Sequence, residues 1–374
     1  MRYVAKYSTL LPLALLLTLF SSQLLAKDVW KNVEKIVAIG DLHGDYEQYL
    51  LVLEDNNLID EALNWQGGKT HLVQLGDITD RGPDSLKIMR HLKKIHQQAK
   101  RAKGYVHMLL GNHELMNIKG DLRYVHPGEY QILITPNSAK NQLAYVKLVF
   151  ASLLESDPLL IDRETQEMAL LTKRFPLGYA EHRYLWARKG EFFEWAKHAN
   201  TVIKINRTLF THGGISPHQV FMPIKHINKT VKKVIRSNTA SSTNIVTGDE
   251  GPLWYRGLAF NNKEKELAPL KEMLAYYDAD SIVIAHTPTP GTVIPRFGGR
   301  VFMIDVGIAK HYGSRRANLV IEEDVPYVVH RGRKIALPAN TSALKDYLKQ
   351  SSLLDPPPSP LLKTIKKLES ESGN

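Results

Sequence analysis

The 374-residue chain has no cysteine. Disulfides, zinc–thiolate centres, a cysteine nucleophile and a bacterial lipoprotein anchor are therefore excluded. Internal repeats are also missing. No long apolar run occurs after residue 26, which excludes a many-span membrane protein. Apolar residues make up 43% and charged residues 23%, so wholesale disorder is excluded as well. Acidic residues are outnumbered, 38 against 49 Lys and Arg, for a net charge of +11. Such a balance suits an anionic partner: nucleic acid, a membrane surface or a phosphorylated substrate.

The single long apolar run lies at the start. Arg2 and Lys6 precede Leu10–Phe20, and small and polar residues lead to Ala26-Lys27. This is the layout of a secretory signal peptide, residues 1–26, and predicts an exported, periplasmic protein. Leu24 departs from the small residue preferred three positions before the cut. The alternative is an uncleaved membrane anchor over Tyr7–Ala26, long enough to span. A membrane is a partner only in that case. A chain of about 300 residues buries roughly three quarters of its unfolded surface, so a core without disulfides is no obstacle.

Short apolar runs then recur at Ile36–Ile39, Leu72–Leu75, Val106–Leu110, Thr208–Thr211, Ile282–Ala285, Val301–Ile304, Leu319–Ile321 and Tyr327–Val329. They read as buried strands. Leu86, Met89, Leu92, Ile95, Ala99 and Ala102 follow helical spacing, with Asp84 as a start cap and Gly104 as a stop. Strand and helix alternate, which predicts an α/β catalytic domain over 27–340. Residues 114–200 read as a helical insertion on the domain face, with helices near Ala139–Glu155 and Lys189–His198. The segment 341–374, with Pro356-Pro357-Pro358, reads as a peripheral or disordered tail.

Five strands end in chemistry. Ile36–Ile39 runs into Asp41 and His43, Leu72–Leu75 into Asp77, Asp80 and Arg81, and Val106–Leu110 into Asn112 and His113. Thr208–Thr211 runs into His212, and Ile282–Ala285 into His286. In α/β sheets the carboxyl ends of strands form the ligand crevice. Asp41, His43, Asp77, Asn112, His212 and His286 make an oxygen and imidazole donor set that suits Mn, Fe, Zn, Co or Ni. A carboxylate between two ligand sets can bridge two ions about 3.5–4 Å apart, and such a pair serves phosphoryl chemistry. Asp77, from a middle motif, is the natural bridge. Any one motif is weak, but five in series are specific. Eleven of the 15 histidines fall outside the set. Those, including His71, His91, His96, His182 and His226, read as surface or helix-face residues.

Asp41-Leu42-His43, Gly76-Asp77-Ile78-Thr79-Asp80-Arg81-Gly82, Gly111-Asn112-His113-Glu114 and His212-Gly213-Gly214 resemble the signature of the PPP-type metallophosphatases. Gly111–Asn117, Gly120–Val125 and Gly251–Gly257 resemble the Shewanella-like protein phosphatase branch more closely. The resemblance spans about 34–335. It implies the calcineurin-like metallophosphoesterase fold, a two-sheet β-sandwich flanked by helices. It implies that Asp41 and His43 hold a first metal, that Asp77 bridges, and that Asn112, His212 and His286 hold a second. Mn is the first expectation, with Fe or Zn as alternatives. His113 is then the general acid with Asp80 orienting its ring, and Arg81, Arg256 and Asn112 bind phosphate.

The implied activity is a phosphomonoesterase on phosphorylated protein or a small phosphomonoester, by direct attack of a metal-bound hydroxide. The alternatives are a phosphodiesterase or dinucleotide polyphosphate hydrolase on the same site, and a metal-bearing module without turnover. Nucleic acid is not expected as a partner, because Lys229, Lys232, Lys233 and Arg236 read as a solvated helix face. His113 and His212 lie 99 residues apart, a gap longer than the eukaryotic serine/threonine branch needs. The insertion is therefore expected to wall the cleft, which favours phosphotyrosine or dual specificity. Arg300–Gly307 lacks that branch's tyrosine-containing loop. Asp305 reads as a turn residue or one behind the ligands, and Arg123 and Tyr124 either line the pocket or pack a helix.

Overall fold

A computed structural model describes residues 27–237, 248–340 and 342–371. The expected leader lies outside the described residues. Two six-stranded sheets face each other. The first has the order β1 (Val29–Trp30), β5 (Val202–Ile205), β6 (Thr208–Thr211), β7 (Ser281–Ile284), β9 (Val301–Met303), β8 (Ile294–Arg296). The second has the order β12 (Arg333–Ala336), β11 (Val325–His330), β10 (Ala317–Glu322), β2 (Lys35–Ile39), β3 (His71–Gln74), β4 (Tyr105–Met108). β2, β3 and β4 are parallel, as are β6, β7 and β9.

Both faces of the first sheet are buried, which is why its strands read as unbroken apolar runs. Phe210, Val283 and Phe302 point into the main core between the sheets. Their neighbours Leu209, Ile282, Ile284, Val301 and Met303 point the other way. There they meet the helices Ile224–Ser237 and Lys263–Tyr276. The second sheet is covered by Tyr46–Asp55 and Ser85–Arg101, which bury Tyr49, Val52, Leu53, Met89, Leu92 and Ile95. Lys100 and Arg101 sit in the last turn of Ser85–Arg101, where the helix dipole favours cations. Asp84 occupies the cap position of that helix but makes no cap hydrogen bond; its carboxylate pairs with Lys87 at 2.7 Å.

Residues 114–200 are rich in helix. Ser138–Ser156, Glu164–Arg174 and Tyr179–Trp186 enclose a small core of Val146, Phe150, Leu171 and Phe175. Among the described residues no helix is long and apolar enough to cross a membrane.

Three expectations need correction. Past residue 341 the chain forms two helices, Leu344–Ser352 and Leu361–Glu371, which bury Tyr347, Leu348, Leu361 and Ile365 in the main core. The Tyr347 hydroxyl donates to the Val293 carbonyl at 2.8 Å. The prolines separate these helices and do not mark disorder. Second, His71, His91 and His182 are buried, at 8, 7 and 3% exposure. His91 is satisfied between the Tyr49 hydroxyl and the Leu63 carbonyl, both at 2.9 Å, and His71 pairs with His107 at 3.0 Å. Third, Lys232 is half-buried, with its ammonium on Asn200 at 2.6 Å.

Leu348→Ala is expected to cost about 2–5 kcal/mol of stability, as a fully buried leucine does. Urea denaturation reads this as a lower midpoint at unchanged slope; an unmoved midpoint would show that the C-terminal helices are dispensable.

Candidate active site

The strand ends of both sheets converge. β2 delivers Asp41 and His43, β3 delivers Asp77, β4 delivers Asn112 and His113, β6 delivers His212 and β7 delivers His286. All seven side chains are buried. The Nε2 of His43 lies 3.7 Å from Asp41 and 4.0 Å from Asp77. The Nε2 of His212 lies 3.3 Å from Asp77 and 2.9 Å from the Asn112 side-chain oxygen. Two triplets form, His43–Asp77–His113 and Asp77–His212–His286, each with its ligand atoms within 4.8 Å of one another. Asp77 belongs to both.

The loops that bring these groups together are conformationally costly. His43, Asp77, Asp80, Arg81 and His286 have φ of 44°, 51°, 72°, 68° and 65°, the left-handed region that side chains disfavour. Each such residue costs about 1–3 kcal/mol and needs support from its surroundings. Glu114 supplies it. Its carboxylate accepts from the backbone N–H groups of Asp77 at 3.0 Å, Ile78 at 2.8 Å and Gly111 at 2.8 Å. The Asp77 carbonyl in turn accepts from Leu42 and His43. Gly111 is required because a β-carbon there would collide with the Asp77 carboxylate.

Charge is unbalanced within the chain. Asp41, Asp77, Glu114 and Asp305 are all buried. Burial, then Asp305 and Asp77, push Asp41 well above the usual carboxylate range. Burial raises Asp305 to about 6, opposed by the Gly307 N–H. Burial also raises Glu114, with Asp77 adding to it. Burial opposes ionisation of Asp77, yet the imidazoles of His212 and His113 beside it hold it well below the normal value. Burial lowers His43 to about 3 and His286 to about 2, so both rings are neutral.

These groups fit divalent cations. His43 donates Nδ1–H to the Thr79 carbonyl at 3.0 Å, and His212 donates Nδ1–H to the Leu75 carbonyl at 2.8 Å. Both rings thus turn Nε2 inward as a lone-pair donor, as metal-ligating histidines do. The Nε2 of His286 is buried with no hydrogen-bond partner. Neutral imidazoles beside crowded carboxylates form a cation's donor set.

Around this centre, His113 Nδ1 meets Asp80 at 2.6 Å, and Asn117 donates to the other Asp80 oxygen at 2.9 Å. The Arg81 guanidinium stacks 3.9 Å over the Tyr124 ring, and its backbone N–H donates to the Tyr124 carbonyl at 2.9 Å. Tyr124 also packs on His113, with ring centroids 5.2 Å apart. Arg123 instead turns outward to Asp121. Arg256 lies beside His286, donating to its carbonyl and to the Thr287 hydroxyl, both at 3.0 Å.

Several residues at the site escaped the sequence reading or were set aside in it. Glu114 was visible only as the third residue of a helix opening after Gly111, a capping-box position. Asp305 ends β9 as a sixth strand-end group. Tyr312 packs on His43 with centroids 5.2 Å apart, and no local signal marked it.

A model of the calcineurin-like phosphoesterases matches residues 34–290. The chain belongs to that family. An uncharacterized protein of Schizosaccharomyces pombe is 30% identical, covering 81% of this chain and 82% of its own. Shewanella-like protein phosphatase 1 of Plasmodium berghei is 28% identical over 78% of this chain and 72% of its own. The crystal structure of a cold-active protein-tyrosine phosphatase from a psychrophilic Shewanella superposes with a TM-score of 0.64 at 28% identity, covering 83% of this chain and 82% of that one.

A cation–aromatic contact is worth about 0.5–2 kcal/mol. Tyr124→Leu is therefore expected to raise KM for a phosphomonoester about 3- to 30-fold with little change in kcat, whereas Tyr124→Phe stays near wild type. Equal KM values in all three enzymes would show that Arg81 does not depend on the ring.

Proposed function

We propose that the protein is a dinuclear-metal phosphomonoesterase acting on phosphorylated protein. The observation that carries this reading is Asp77, shared between two buried clusters of His43, His113, His212 and His286, with His113 itself held by Asp80. Asp41, His43, Asp77, Asn112, His212 and His286 would hold two cations, with Mn first and Fe or Zn as alternatives. Divalent cations held there would lower the pKa of a water and neutralise phosphoryl oxygens.

The chain's own groups do the rest. Arg81, stacked on Tyr124, and Arg256, beside His286, orient the phosphoryl oxygens, and the Asn112 amide adds a third contact. His113 gives its Nε2 proton to the leaving oxygen. Asp80 fixes the ring through Nδ1 and favours its protonated form. Burial opposes protonation of His113, but Asp77 and Asp80 outweigh it and raise the ring above its ordinary value. Tyr124 and Tyr312 give the pocket aromatic walls, which favour an aryl phosphate such as phosphotyrosine. Residues 1–26 carry the proposal of export, which mature protein beginning at Lys27 would support.

Asp77→Asn and His113→Asn are each expected to lower kcat by at least about 10²-fold in folded, metal-replete protein. Chelation abolishes activity and Mn restores it. A panel of phosphotyrosine and phosphothreonine peptides, aryl diesters and diadenosine polyphosphates separates the readings, and a preference for the last two would sink this one.

His113 must be protonated to act, so rate falls as pH rises through its pKa. Asp80→Asn removes part of what holds that pKa up. The alkaline limb of the kcat profile is expected to move to lower pH, and an unmoved limb would remove His113 as the acid.

A further inference from the structure

We infer that a groove leading off the Arg256 side of the site docks an acidic, extended segment that flanks the phosphorylated residue of a protein substrate. This rests on the protein phosphatase reading above and adds the substrate's sequence class.

The groove, about 710 Å³, lies along the edge strand β8 and the helix Lys263–Tyr276. Its walls begin close in sequence to the site: Pro288 is two residues past His286, and Ala259 is three past Arg256. Four cations line it, Lys263, Lys271, Arg296 and Arg300, and among the described residues no carboxylate does. Two of the four are already committed. Arg296 donates to the carbonyls of Leu258 and Asn261, and Arg300 donates to that of Phe297 at 3.1 Å. Lys263 and Lys271 are exposed, and no ion pair is made by either among the described residues. Glu264 and Glu272 share their helix but do not line the groove.

The two lysines flank Leu267 on one helix face, eight residues apart, or about 12 Å at 1.5 Å per residue. An extended chain covers that distance in three to four residues at about 3.3 Å each. Side chains of an extended chain alternate faces, so the geometry selects two carboxylates four residues apart.

β8 also excludes one common docking mode. A free sheet edge ordinarily recruits a peptide as an added strand through its backbone groups. Here Pro295 occupies the middle of the three-residue strand and has no N–H to give. Recognition falls to side chains, and the free side-chain charge is positive. Pro288, Pro290, Pro295 and Pro338 hold the walls rigid, so little ordering is needed on binding.

The test compares three substrates: p-nitrophenyl phosphate, a phosphopeptide with Asp or Glu flanks at this spacing on either side, and the same peptide with Asn or Gln. Wild-type enzyme is expected to favour the acidic peptide in kcat/KM by about five- to tenfold, with the preference shrinking as salt rises. The double variant Lys263→Glu, Lys271→Glu is expected to lose that preference while its p-nitrophenyl phosphate kinetics stay unchanged. Equal rates on both peptides in the wild type, or a preference that survives the double variant, overturns the groove assignment. Competition by an RNA oligonucleotide as strong as by the unphosphorylated acidic peptide also overturns it. Failure of the wild type on every phosphomonoester, p-nitrophenyl phosphate included, sinks the phosphatase reading instead.

Discussion

Asp41, Asp77, Glu114 and Asp305 lie within electrostatic reach of one another in a volume nearly closed to water. Burying one carboxylate is costly, and burying several together is worse, because each opposes ionisation of the next. The imidazoles offset this charge only in part: those of His212 and His113 hold Asp77 low, whereas burial keeps His43 and His286 neutral. The chain has thus crowded acidic groups that its own imidazoles do not fully balance. A divalent cation would supply the rest, and the oxygen and imidazole donors suit one. The site's chemistry and its stability are two readings of this one imbalance.

The backbone bears a second cost of the same design. Five site residues adopt the left-handed region in the loops that follow β2, β3 and β7. Glu114 contributes nothing to the chemistry proposed here, yet it fastens the Asp77 loop to the Gly111 loop through three backbone donors. Glycines at 76 and 111 allow the two loops to touch, since a β-carbon on either would enter the other. The helical insertion takes part in the same construction. Through Tyr124 it supports both Arg81 and His113, so that side of the site depends on a segment outside the sandwich.

Much of this was legible in the sequence. All eight apolar runs are strands in the structure, because a strand buried on both faces needs an unbroken apolar run and so shows itself locally. The groups after the strands were visible for the same reason: a strand end is a short-range feature. What escaped notice depends on distant parts of the chain. β1 is only two residues long and exists because β5 offers it an edge. Tyr312 reaches His43 only through the turns that follow β9. The C-terminal helices looked like a tail because Pro356–Pro358 dominates their local composition, and their docking surface lies far away in sequence. His71 and His91 looked polar, and so superficial, until their partners in other elements were known.

The donor atoms are divided between the two sheets. Asp41, His43, Asp77 and Asn112 follow strands of one, and His212 and His286 follow strands of the other. The spacing of the sandwich therefore sets the bite of the centre. Phe210, Val283 and Phe302, packed between the sheets, hold the two layers apart, so core side chains bear on the distance between the two halves of the donor set.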